Sequence, residues 1–225
     1  MRFRHTVTTI AIPLLVLALA LPAQARWFGS GKGIEGSGDM ETREFDLKTF
    51  EAIELGGAFS VEIRFGDKQS VAVTIDDNLW ENLETGVSHG TFELDWDKNC
   101  EPDDDCKVVI TMGNLERLEV HGACDATVKD FDSDRFEFNV HGAAELYING
   151  QADELEINIS GAGEVDARNL KAKHVKVRIS GAGDAELYAS ESIDARISGA
   201  GNLDYWGNPD HEKTNVSGVG SIDAH

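Results

Sequence analysis

The chain has 225 residues, with 20 Lys and Arg against 41 Asp and Glu and a net charge of −21. That length suits one domain, and the negative field argues against nucleic acid and anionic lipid, whose phosphates are held by clustered Lys and Arg. The same field attracts cations and keeps an exported surface soluble.

Residues 1–25 read as a secretory signal peptide. Arg2, Arg4 and His5 give a positive start, residues 10–21 are apolar, and Ala23-Gln24-Ala25 supplies the small residues of a cleavage site. The apolar run falls short of the roughly 20 residues of a membrane span, and no later segment is apolar enough to cross. No Cys follows the cleavage site to carry a lipid. The expected protein is exported, periplasmic or extracellular, without a membrane span after cleavage. Its mature charge is −23, from 18 basic and 41 acidic residues.

Residues 26–45 form a lead-in, Gly- and Ser-rich as far as residue 40. Residues 46–225 are expected to fold as a single domain, with irregular N-terminal coils over 46–114 and regular repeats over 115–225. In the first part, apolar residues alternate through Ile53, Leu55, Phe59, Val61, Ile63 and Phe65. A turn at Gly66-Asp67 leads to Val71, Val73 and Ile75, and a short helical turn is expected near Leu79 to Leu83. Cys100 and Cys106 flank the polar stretch Glu101 to Asp105 and form a candidate disulfide, since export permits one. Cys124 is left as a small buried thiol.

The C-terminal half is periodic. Corner glycines stand at Gly122, Gly142, Gly161, Gly181, Gly199 and Gly218, at intervals of 20, 19, 20, 18 and 19 residues. Around them the chain reads LEVHGAC, FNVHGAA, INISGAG, VRISGAG, ARISGAG and TNVSGVG. Apolar residues alternate on both sides of each corner, so each unit is made of short strands rather than a helix. One unit cannot bury its apolar face alone, but stacked units can, at a strand separation of about 4.8 Å. The pattern therefore predicts an all-β parallel β-solenoid with 18–20-residue coils. Val120, Val140, Ile159, Ile179, Ile197 and Val216 would form one inward ladder, and Leu118, Phe138, Ile157, Val177 and Ala195 a second. Outward, Arg117, Glu137, Glu156, Lys176, Asp194 and Lys213 would form a row in which most neighbours have opposite sign.

With these residues in view, the chain resembles the bacterial head GIN domain proteins, also called "putative auto-transporter adhesins". The resemblance rests on the signal peptide, GSG at Gly36 to Gly38, ETRE at Glu41 to Glu44 and FEAIELGGAFSVEIRFGD at Phe50 to Asp67. VAVTIDDNL at Val71 to Leu79 and the recurring SGAG complete it. It implies a right-handed parallel β-helix and brings no catalytic residues. The HGAC and HGAA corners and the CEPDDDC insertion depart from it.

Sites of specific chemistry are weighed against this architecture. SGAG is not a phosphate loop, because no Lys-Ser/Thr follows and the next residues are acidic strand positions. It also differs in phase and period from the nine-residue calcium repeats of β-rolls. Glu164, Asp166, Asp184, Glu186, Asp204 and Asp223 instead form exposed rows, with at most weak divalent cation binding. His121 and His141 share one corner position in adjacent coils and are candidate metal ligands, with Cys124 or Asp125 nearby; two imidazoles alone do not complete a tetrahedral site, so no metal or cofactor is expected. No motif singles out a catalytic residue. The expected function is an exported, non-enzymatic, adhesin-like binding or scaffold module for an extracellular glycan or an envelope protein. The alternatives are a polysaccharide-acting or metal-dependent β-helix enzyme, or a structural protein that self-assembles end to end.

Overall fold

A computed structural model of the protein describes residues 33–225. The signal-peptide reading of residues 1–25 lies outside the described residues, as does the start of the lead-in. Strand accounts for 72% of the described residues and helix for 3%, and stacked parallel coils form a β-solenoid of about five turns, the fold class that the repeats require.

In chain order, β1 (Ile34–Glu35) and β2 (Met40–Phe45) lead in, and β3 (Ala52–Leu55) and β4 (Ala58–Phe65) flank a Gly56-Gly57 corner. Strand β5 (Ser70–Asp76) runs into a 3-10 turn at Asp77–Asn82, then β6 (Leu83–Ser88), β7 (Thr91–Trp96), β8 (Cys100–Glu101) and β9 (Lys107–Met112). After β10 (Arg117–Val120) come four long wrapping strands: β11 (Ala123–Val140), β12 (Ala143–Ile159), β13 (Ala162–Ile179) and β14 (Ala182–Ile197). The chain finishes with β15 (Ala200–Trp206), β16 (His211–Val216) and β17 (Val219–Ala224). Each long strand spans what the alternation marks as two short ones, because the bend between them does not break the pairing with the next coil.

Both inward ladders form. Val120, Val140, Ile159, Ile179, Ile197 and Val216 stand in register from coil to coil. So do Leu118, Phe138, Ile157, Val177 and Ala195, all fully buried. Each ladder continues below the repeats, through Leu55 and Leu94 and through Ile53 and Phe92. At the far end the cover fails: Val216 is 39% exposed and Val219 of the same coil 78%.

The unequal coil lengths are absorbed at the bend opposite the corner. Between β11 and β12 the register slips after Val128, where Lys129 and Asp130 form a bulge and Asp130 has a positive φ of 57°. Similar slips occur after Tyr147 in β12 and after Ala167 in β13. Bulges of this kind take up extra residues without disturbing the ladders on either side.

The first two coils are stacked out of chain order. Strands β3 and β4 form one coil, and the later strands β7 and β9 lie beneath them in parallel register. The chain then crosses back so that β10 and the first part of β11 sit on the other side of β3 and β4. Antiparallel strands close this end: β2 pairs with β5, β5 with β9, and β6 with β7. Asp76, fully buried at the end of β5, ties this cap together. Its Oδ1 accepts the Gly38 N–H at 2.7 Å and its Oδ2 the Asp103 N–H at 3.2 Å.

Candidate functional site

The solenoid registers place chemically useful side chains in rows. Arg117, Glu137, Glu156, Lys176, Asp194 and Lys213 line up across six strands. The like-charged step, Glu137 to Glu156, is bridged from a neighbouring row: Arg135 Nη2 lies 3.5 Å from Glu137 Oε2 and 3.4 Å from Glu156 Oε2. Lys176 pairs with Glu156 at 2.5 Å, and Asp194 faces Arg178 at 3.0 Å and Lys213 at 3.4 Å.

Two carboxyls of this row are held below their ordinary range. Glu156 is lowered chiefly by the hydrogen bond from Lys176, against partial desolvation. For Asp194, desolvation pushes upward but is outweighed by Arg178, Lys213 and Arg196. A carboxyl depressed by folding stabilises the fold at pH above its unfolded value and loses that contribution as pH falls through the folded value. Glu156→Gln should therefore flatten the acid side of the stability profile. Urea midpoints measured downward from pH 4.5, the ordinary glutamate value, should fall less steeply than in the wild type.

Beside this row lies a second one, Arg135, Glu154, His174, Ser192 and His211, again in register from β11 to β16. The two rows flank Leu155, Val175 and Ile193, whose side chains point into the core. Together they line an open groove of about 590 Å³ running along five coils. Charges of both signs alternate in it, and His174 Nδ1 is 2.9 Å from Ser192 Oγ.

The corner glycines follow a separate logic. None of the six predicted corner glycines has a positive φ. Their smallness is required by the neighbouring coil: a Cβ on Gly142 would lie 1.9 Å from Gly122 O, and one on Gly161 would lie 2.0 Å from Gly142 O. Gly122, Gly181, Gly199 and Gly218 meet the same obstacle. Backbone hydrogen bonds hold that spacing, such as Ser160 N–H to Val140 O at 2.8 Å and Ala162 N–H to Gly142 O at 2.9 Å.

His121 and His141 occupy these corners in adjacent coils, and their rings stack with centroids 4.9 Å apart and planes 11° from parallel. Cys124 is buried and does not join them. Their neighbours are carboxylates that sequence reasoning did not select. Glu119 Oε1 lies 3.2 Å from His121 Nε2 and 3.4 Å from His141 Nε2, and Glu54 Oε1 lies 3.4 Å from His121 Nε2. A signal was present: IELGGAF at Ile53 to Phe59 begins like LEVHGAC, which makes Gly57 the counterpart of Gly122 and sets Glu54 beneath Glu119.

Cys100, Cys106 and Cys124 are free thiols, so the expected Cys100–Cys106 disulfide is not formed in this structure. Burial pushes Cys106 up to about 11, with the Asp76 and Asp105 charges adding, and pushes Cys124 up to about 12. Both are correspondingly poor nucleophiles. The acidic positions Asp166, Glu186, Asp204 and Asp223 do form a continuous row. Part of its charge is met within the protein by Arg168 at Glu186, and Asp204 Oδ1 shares a hydrogen bond with His225 Nε2.

Fold and surface together define a parallel β-solenoid with a polar groove along its coils. The chain belongs to the head GIN domain family: residues 49–209 match the family described as "Putative auto-transporter adhesin, head GIN domain". No curated protein matches the chain. Among solved structures, a "putative adhesin" of Bacteroides fragilis is similar at 23% identity and a TM-score of 0.69, covering 86% of this chain and all of its own. A "putative adhesin" of Parabacteroides merdae is 14% identical with a TM-score of 0.57, covering 85% of this chain and 99% of its own. A "putative lipid binding protein" of Parabacteroides distasonis is 22% identical with a TM-score of 0.52, covering 85% and 100%. At these identities the likeness is one of fold. Among the described residues, no helix is long and apolar enough to cross a membrane.

Proposed function

We propose that the protein is an exported, non-enzymatic, adhesin-like module that binds an extended glycan along the groove of β11 to β16. The observation that carries this reading is the groove itself, which repeats the same two polar rows over five coils. A ligand with its own repeat can meet a polar side chain at the same spacing in each coil, as extended ligands do on solenoid surfaces. The coils are hydrogen-bonded to one another along their length, so the rows need little ordering when a ligand arrives.

The direction of the carboxyl shifts supports binding over hydrolysis. A glycosidase acid must keep its proton near neutrality and so needs a raised pKa. The groove carboxyls with displaced titration, Glu156 and Asp194, are displaced downward. Export follows from the N-terminal sequence and suits the family's adhesin description.

The chain from Arg26 onward should bind saturably to some members of a panel of envelope and extracellular glycans. Charge reversal in the groove, Lys176→Glu with Lys213→Glu, should weaken that binding by about tenfold or more. Failure to bind any glycan, or binding indifferent to these substitutions, would overturn the reading. Cleavage products in the incubated glycan would favour the enzyme alternative instead.

A further inference from the structure

We propose that Glu119, His121 and His141 form a binding site for a transition-metal ion of the zinc class, with the Glu54 carboxylate beside it. The donor atoms of Glu119, His121 and His141 all lie within 4.8 Å of one another. Within this group Glu119 Oε1 lies 3.2 Å from His121 Nε2 and 3.4 Å from His141 Nε2. A tetrahedral zinc ion, with bonds of about 2.0–2.2 Å to nitrogen and oxygen, needs donors about 3.3–3.5 Å apart. Both Glu119–imidazole spacings are close to such an edge, and water can fill a fourth position.

The fold places these donors without strain. Glu54 and Glu119 are in register on β3 and β10, two like charges on adjacent strands, which is unfavourable unless something positive lies between them. Arg117 attends only the far oxygen of Glu119, its Nε 3.8 Å from Oε2. Oε1 turns instead to the two imidazoles. A neutral imidazole has one proton to share, yet His121 Nε2 faces both carboxylates. One divalent cation at Glu119 Oε1 and the two Nε2 atoms meets these three donors at once and offsets the Glu54 charge beside them.

An outer partner is also in place. A metal at Nε2 of His141 requires the ring proton on Nδ1, held by an acceptor. Ser160 Oγ lies 3.0 Å from that Nδ1 and can donate its own proton to Val140 O, also at 3.0 Å. The other corners of the repeat carry Ser180, Ser198 and Ser217 where these two carry His, so the imidazoles are not needed to build a corner. Imidazole donors select zinc, copper or nickel over calcium and magnesium. The strongly negative protein concentrates cations at its surface.

Titration calorimetry of the untagged chain from Arg26 onward should show one equivalent of zinc bound, and no comparable heat with calcium. Replacing both imidazoles by the residue of the other corners, His121→Ser with His141→Ser, should abolish zinc binding and leave the zinc-free melting temperature unchanged. Glu119→Gln should weaken zinc by at least about tenfold. Cobalt(II) added to the wild type provides a reading independent of any variant: an intense visible band marks tetrahedral coordination. A wild type that takes up no zinc saturably, zinc binding retained by the double variant, or only the weak band of octahedral cobalt would each overturn the site.

Discussion

Gly161→Ala should destabilise the protein by about 3 kcal/mol or more, whereas Gly163→Ala, two residues along the same SGAG motif, should change stability by no more than about 1 kcal/mol. A methyl on Gly161 would sit 2.0 Å from Gly142 O and 2.4 Å from His141 O, both backbone atoms of the adjacent coil. Neither can retreat without breaking the hydrogen bonds that space the coils. A methyl on Gly163 meets only the side chain of Ile159, at 3.3 Å, where a small rotation gives the needed room. The preceding coils already carry Cys124 and Ala144 at that register position. In Gly163 the substitution also restricts the unfolded chain, which offsets part of the crowding. Urea melts of the two variants check the contrast. Equal losses would mean that the corner tolerates coil separation and that the glycine column is not what sets the stacking distance.

That contrast marks what the sequence made legible. From Gly122 onward, the spacing of corners and the alternation around them fix the inward ladders and the outward row, because each coil contacts only its neighbours and every contact repeats. The same locality explains what was missed. Strands β7 and β9 sit beneath β3 and β4 although they come later in the chain, and no periodicity announces a coil that is stacked out of order. Glu54 belongs to that part of the chain. Its place under Glu119 depends on recognising Gly56-Gly57 as a corner 65 residues before Gly122, far outside the 18–20-residue interval of the repeat. His121 and His141 were found because they lie inside the periodic region, while half of their surroundings lies outside it. The groove was partly legible: the row from Arg117 to Lys213 follows from spacing, but the second row stands on residues beside the bend, where bulges shift the count.

Asp76 lies in the non-repeating part as well, and its removal carries the second large effect. Asp76→Ala should destabilise by about 3 kcal/mol, since hydrogen bonds to a charged group are worth about 1.5–3 kcal/mol and their loss strands the donors. The carboxylate is fully buried and accepts N–H groups from two segments far apart in sequence, Gly38 of the lead-in and Asp103 of the acidic loop. Alanine leaves both donors without it and opens a space where the two loops meet. Asp76→Asn should cost less, because its one carbonyl oxygen can still take the shorter of the two bonds. A local readout separates this account from a general loss of stability. Cys106 borders the same loop, and its thiol is pushed up to about 11 by burial, then by the charges of Asp76 and Asp105. Removing Asp76 withdraws one of those charges and loosens the cover. In folded Asp76→Ala, Cys106 should therefore react faster with a thiol reagent, while the backbone amides of the regular coils from β12 to β14 should exchange hydrogen at the wild-type rate. Parallel acceleration of the Cys106 reaction and of exchange in the regular coils would point to global unfolding and would refute Asp76 as the clasp of the N-terminal cap.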